Sequence, residues 1–192
     1  MKYVSIDIET TGLDPLDNQI LEIGMVIEDT NNILPIEKLP RFHCYIKHNE
    51  IIGNAYAINM NRDIIQKIVE NDTEKYQILK EEQVATYVYG WLSQYFPPKN
   101  NYIKITPAGK NFNAFDKLFL EQLPELKSLV RFAHRAIDPA VLCMDWKCND
   151  ELPTLEDCKI MCGLEKSVAH TAIEDALDVI RIMRVATENY TK

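Results

Sequence analysis

The 192-residue sequence has no apolar run approaching the roughly 18 to 20 residues that span a bilayer. Its opening, MKYVSIDIE, lacks the basic start, apolar stretch and cleavage signal of a secretory leader. A cytoplasmic chain without a membrane segment is therefore expected. Positive charge is also scarce: 21 Lys and Arg stand against 29 Asp and Glu, giving a net charge of -8 and a pI near 5.0. This disfavours a protein that grips long nucleic acid through a basic surface, because that mode of binding depends on neutralising phosphates with Lys and Arg. A phosphate-bearing substrate stays compatible if bound metal supplies the positive charge.

Cysteine is present in an odd number, five, which fits reduced thiols better than a disulfide framework. Cys143, Cys148, Cys158 and Cys162 are spaced x4, x9, x3, unlike the paired knuckles of zinc modules. Cys158, Met161 and Cys162 instead fall on one helical face with Leu155, the pattern of buried core thiols. Internal repeats, low-complexity tracts and linkers are lacking too, so residues 1–192 are expected to form one domain.

What is present is ordinary globular composition, 46% hydrophobic and 26% charged. Strand patterns run over about 2–8, 19–29 and 41–48, with turns at Gly12, Pro15, Asn31 and Asn32 between them. Three sequential strands with short connections predict an antiparallel meander. A short helix is expected after Asn61 and a longer one over about 81–95, where Val84, Val88, Trp91, Leu92 and Tyr95 recur at helical spacing. A strand at YIKIT, a helix over about 115–122, a strand near VRFAHRAID, and helices over about 155–161 and 171–189 complete the pattern. Strands followed by strand-helix units predict an α/β fold with a mixed sheet covered by helices.

Several acids sit where an acid needs a reason. In SIDIET, strand alternation puts Ser5, Asp7 and Glu9 on one face and Val4, Ile6 and Ile8 on the other. Two carboxylates on one face repel each other unless solvent or a cation relieves them. In HTAIEDALDVIRIMRVA, Glu174, Asp178, Arg181 and Glu188 share a polar stripe that reads as a solvated face. Asp175 lies instead on the flank of the apolar stripe formed by Ile173, Ala176, Leu177, Ile180 and Met183. It either complements the helix dipole from the first turn or turns inward to a partner or metal. Asn113 and Asp116 in GKNFNAFDKLFLE resemble a helix N-cap with an acid in the first turn. His170 cannot share a helical face with Asp175, since five steps of 100° leave them about 140° apart, so a loop position is expected. A loop His is either plain surface or a proton carrier near neutral pH.

Taken together, D7-x-E9 followed by TTGLDP, an N-x-x-x-F-D segment ending at Asp116, and H170-x4-D175 resemble the three ordered exonuclease motifs of the DEDD superfamily, His subtype. That family includes the proofreading subunits of bacterial replicases, oligoribonuclease and ribonuclease T. The resemblance implies an RNase H-like fold, a five-stranded mixed sheet with an antiparallel second strand, flanked by helices. It implies a metal-dependent 3'-5' exonuclease acting on single-stranded DNA or RNA and releasing nucleoside 5'-monophosphates. Asp7, Glu9, Asp116 and Asp175 would hold two divalent cations, Mg2+ or Mn2+, with His170 as general base. Asp7, Glu9 and Asp175 would contact one ion, Asp7 would bridge to the second, and Asp116 would help through water. Two hard cations about 3.5 to 4 Å apart call for oxygen ligands, which four carboxylates supply.

The same resemblance makes Thr10, Thr11 and Leu13 candidate contacts to a 3' end, Leu13 as a wedge against a base. From its own residues, Leu13 reads equally as a turn-closing core residue. Two departures bear on substrate. Asn111 lies one residue further from Asp116 than the family's Asn, which weakens Asn111 and Lys110 as substrate contacts. Asn59 and Met60 stand where many relatives carry a His-Gly-Ile turn. A rival of another class is a non-catalytic member binding nucleic acid or a polymerase through this fold; a homodimer is a further partner the resemblance allows.

Overall fold

The computed structural model describes residues 1–147, 150–165 and 171–190. In chain order the strands are β1 (Lys2–Thr10), β2 (Ile20–Asp29), β3 (Arg41–Lys47), β4 (Ile78–Lys80), β5 (Ile103–Ile105), β6 (Pro107–Ala108) and β7 (Val130–Phe132). The helices are α1 (Ala55–Met60), α2 (Arg62–Glu70), α3 (Glu81–Leu92), α4 (Asp116–Leu120), α5 (Leu126–Leu129), α6 (Leu155–Met161) and α7 (Ala172–Tyr190). The main sheet has five strands in the order β4-β3-β2-β1-β6, with β1-β2 and β2-β3 antiparallel and the two outer pairings parallel. The expected meander and mixed sheet are both present.

Alternation along β1 sorts its side chains between two layers. Val4, Ile6 and Ile8 join one apolar cluster with Ile23, Met25, Phe42 and Ile46, closed over by Val84, Val88 and Leu92 of α3 and by Phe112 and Phe119. Each such fully buried aliphatic side chain contributes about 1.5–3 kcal/mol. On the opposite face Tyr3 and Val26 pack against Ala176, Leu177, Val179 and Ile180 of α7. Asp7 and Glu9 share that second face by their position in the alternation.

Three expectations change in detail. The YIKIT strand continues past Thr106, whose carbonyl accepts from Val4 N–H at 3.0 Å. β5 pairs with β7 before that point and β6 with β1 after it. The strand near VRFAHRAID shrinks to β7 and a single bridge between Ala108 and Ile137, because Pro107 offers no N–H to carry the ladder across. A helix precedes Asn61 as well as following it. Asn54 starts α1 by accepting Tyr56 N–H at 2.8 Å.

The polar stripe of α7 is not all solvated. Asp178 is buried, paired with the equally buried Lys159 of α6 and with Arg181 at 2.5 Å. A carboxylate next to the apolar stripe is tolerated because two cations meet it. Asn113 does not cap α4; its amide reaches His134 O at 3.4 Å, and the helix starts without a side-chain cap. Cys143 and Cys158 are buried with Ala140 and Ile182, and Cys143 lies 3.9 Å from Cys162, sulfur to sulfur. Burial pushes the Cys143 and Cys162 thiols up to about 11, so they stay protonated core groups. Met161, at 53% exposure, does not share their interior, and Cys148 lies outside the described residues. Among the described residues no helix is long and apolar enough to cross a membrane.

Gly24 of β2 sits under the start of α7, where an added Cβ would lie 2.3–2.4 Å from the backbone of Ala172 and Ile173. Gly90 in α3 faces open space. Gly24→Ala is expected to lower unfolding stability by about 1–3 kcal/mol. Gly90→Ala is expected to leave it unchanged or raise it by up to about 1 kcal/mol. Urea midpoints of the two variants check both, and equal midpoints would contradict the close packing of α7 on β2.

Candidate active site

The site assembles where β1 ends beneath the first turn of α7. Asp7 and Glu9 rise from alternate positions of β1, and Asp175 descends from α7. One carboxylate oxygen from each lies within 4.8 Å of the others. All three are half-buried. Asp116, the first residue of α4, is 3% exposed and packs close enough to Asp7 and Glu9 for its charge to act on both. The inward reading of Asp175 therefore holds over the dipole reading, and Asp116 turns to the interior rather than serving a capping motif.

Burial sets the electrostatics, with mutual repulsion second. Burial drives the Asp7 carboxyl well above the usual range, and Asp116, Asp175, Glu9 and Glu22 push it further. Glu9 is pushed up to about 7 by burial, then by Glu22 and Asp175, against a hydrogen bond from Asn61 that favours its charged form. Asp116 also reaches about 7 through burial, tempered by the backbone N–H groups of Ile8 and of Asp116 itself. A cluster of oxygen donors that repel one another fits a hard divalent cation, which neutralises them and prefers oxygen.

Beside the acids lies a cavity of about 570 Å³ lined by Glu9, Thr10, Leu13, Tyr56, Met60 and Asn61, among others. Leu13 is 84% exposed on its rim, so it is not a core residue. The Thr10 hydroxyl donates to Gly12 O at 2.7 Å, shaping the turn. Thr11 is buried away from the cavity, donating to Ile52 O at 2.6 Å and accepting from Gln19 N–H at 2.9 Å. Its part is to hold the wall in place. Met60 lines the cavity while Asn59 is exposed outside it. Asn111 is exposed in the left-handed backbone region, its N–H held by Asp138 at 3.0 Å, and is not among the residues lining this cavity. His170 lies outside the described residues.

Sequence reasoning missed Glu22. This carboxylate is fully buried opposite Glu9 in the β1-β2 register. One oxygen meets His43 Nε2 at 2.5 Å and the other accepts Ala172 N–H at 3.2 Å. It thereby clamps the start of the helix that carries Asp175. The signal was legible: an acid inside ILEIGMVIED, otherwise apolar on both faces, needs a partner. Asn61, 7% exposed and donating to Thr10 O at 3.0 Å, gave no such signal.

A helix-flanked mixed sheet with clustered carboxylates at a strand end is an arrangement suited to a hydrolase that uses divalent metal. The chain belongs to the exonuclease family whose profile, RNase_T, matches residues 4–183. It is a 3'-5' exonuclease of the DEDD class, cleaving phosphodiester bonds. An oligoribonuclease of Halorhodospira halophila is 26% identical over 191 residues, covering 93% of this chain and 88% of that protein. One of Baumannia cicadellinicola is 28% identical over 174 residues, covering 88% and 83%. In fold, the chain resembles Exonuclease I of Methylocaldum szegediense with a TM-score of 0.68 at 18% identity, all of this chain matching 41% of that one. Escherichia coli Exonuclease I, solved with a dT13 oligonucleotide, gives 0.63 at 16% identity, 99% of this chain matching 42% of that one. The chain thus spans about two fifths of the Exonuclease I chains but most of the oligoribonucleases.

The raised carboxyl groups fix a pH dependence. Between their unfolded pKa near 4 and about 7, the folded protein binds more protons than the unfolded chain, so stability falls as pH rises through that window. With chelator present, Tm at pH 7.5 is expected about 4 °C or more below that at pH 5, and magnesium to recover the difference at pH 7.5. Asp7→Asn should flatten the slope. Equal melting with and without magnesium at both pH values would contradict it.

Proposed function

We propose that residues 1–192 form one exonuclease domain of the His subtype that trims short single-stranded oligonucleotides from the 3' end, releasing nucleoside 5'-monophosphates. The observation that carries this reading is the convergence of Asp7, Glu9 and Asp175 within 4.8 Å, next to a cavity with the exposed apolar edge of Leu13. Asp7, Glu9 and Asp175 would hold one divalent cation, and Asp7 with Asp116 would serve a second; magnesium or manganese suits these oxygen donors. Bound in this way, the cations supply positive charge and Lewis acidity at the scissile phosphate. Four acids in a chain of net charge -8 would otherwise repel that phosphate.

His170 takes the proton of the attacking water, a role suited to an imidazole near neutral pH. Leu13, Tyr56 and Met60 present apolar surface to the terminal base, and Thr10 and Asn61 set the backbone and Glu9 at the cavity floor. Asn111 contributes less, being tied to the Asp138 side of the molecule. The oligoribonuclease relatives match this chain over most of their length, which favours short RNA ends over long DNA.

Digestion of matched RNA and DNA oligonucleotides of several lengths with magnesium tests the reading. The expected products are mononucleotides, with circular single strands left intact. Asp7→Asn is expected to lower kcat at least about 100-fold, and His170→Ala by about 100- to 10,000-fold. Calorimetric titration with manganese separates the enzyme from a binding-only member. Cation binding together with 3' trimming supports the enzyme, while absence of both would assign the fold to nucleic-acid or polymerase binding.

A further inference from the structure

Away from the acids, the protein carries a second groove of opposite sign. It has a volume of about 480 Å³ and is lined by Lys104, Lys117, Lys127, Arg131 and Tyr102, with Glu121 as its one carboxylate. Four cations against one anion, in a chain of net charge -8, form a local excess of positive charge. Lys104 and Arg131 stand opposite each other in the β5-β7 pairing, both exposed, and among the described residues neither has a carboxylate partner. Glu121 engages Lys117 at 4.0 Å and Lys127 at 3.6 Å, which orients two amines without neutralising the groove. The Arg131 guanidinium lies 3.7 Å from the centre of the Tyr102 ring, a stacked plane of the kind on which bases rest.

Helix α4 contributes to both the groove and the active site. Asp116 points inward to the acids, and the next residue, Lys117, lines the groove. We infer that this groove binds the backbone phosphates of a single-stranded substrate on the 5' side of the nucleotide being removed. This rests on the exonuclease reading. The acids and their cations act on the terminal phosphodiester, and the groove holds chain that the active-site cavity does not reach. Alternating cations and an aromatic plane match a sugar-phosphate strand with unstacked bases better than a duplex, whose bases are not available for stacking.

The test is the double charge reversal Lys104→Glu with Arg131→Glu, and the neutral pair Lys104→Gln with Arg131→Gln as a milder form. Neither residue belongs to the acid cluster or its cavity. Both variants are expected to hydrolyse a dinucleotide as the parent does, while KM for an oligonucleotide of about 12 nucleotides rises about tenfold or more in the reversal. The salt dependence of binding should weaken by a logarithmic slope of about 1.4, the value for two lost single-strand phosphate contacts. Anisotropy of a labelled 12-mer in chelator reads the groove without turnover, so that a parent inactive on dinucleotide would overturn the exonuclease reading and leave the groove measured on its own. Unchanged 12-mer binding in the reversal, or equal loss on dinucleotide and 12-mer, would overturn the proposal. So would polyglutamate of matched charge binding the parent as tightly as the 12-mer, which would assign the groove to an acidic protein.

Discussion

The contact between the start of α7 and the middle of β2 is the constraint on which the site depends. Asp7 and Glu9 are fixed by one strand, but Asp175 lies more than 160 residues further along and must be delivered from another layer. Gly24 removes the side chain that would hold the helix off the sheet, and Glu22 accepts the N–H of Ala172. Further along, Arg184 donates to the buried Glu28 at 2.6 Å and to Leu34 O at 2.8 Å, so the helix is tied at two points along β2. Without this double attachment a helix bearing an inward acid would slide away from two others that repel it.

The charge arrangement follows from the same packing. Burial and crowding make the carboxyl groups reluctant to ionise, which is costly for the fold and useful for chemistry. A cation is bound most strongly where its ligands have little other relief. The protein meets its other buried acids differently. Asp178 receives Lys159 and Arg181, Glu28 receives Arg184, and Glu22 receives His43. The carboxyl groups of Asp7 and Glu9 are instead pushed up by burial and by neighbouring carboxylates.

Much of this was legible in the sequence because it follows from short periodicities. Alternation in SIDIET placed Asp7 and Glu9 on one face, and the helical stripe of Ala176, Leu177 and Ile180 set Asp175 on its flank. The order of strands and helices gave the layers. What escaped depends on contacts between distant segments. Asp178 reads as solvated until α6 supplies Lys159, and Asn113 reads as a cap until His134 claims its amide. The basic groove draws on three separated stretches of chain, none of which is basic enough alone to stand out against a net charge of -8.

Thr11 joins two segments that form the walls of the cavity beside the acids. Its hydroxyl bridges Gln19 and Ile52, its carbonyl accepts Asn54 N–H at 2.7 Å, and Gly53 lies too close to it for any side chain. The turn bearing Leu13 and the helix bearing Tyr56 and Met60 are thus bolted together at their base. On the proposed reading such a cleft would work as a gauge rather than a jaw: its width is set before a strand end arrives, and little conformational entropy would be lost when one enters. Selection would then fall to fit at the rim, where ends too bulky or too firmly paired to part would be turned away at no cost in refolding the protein.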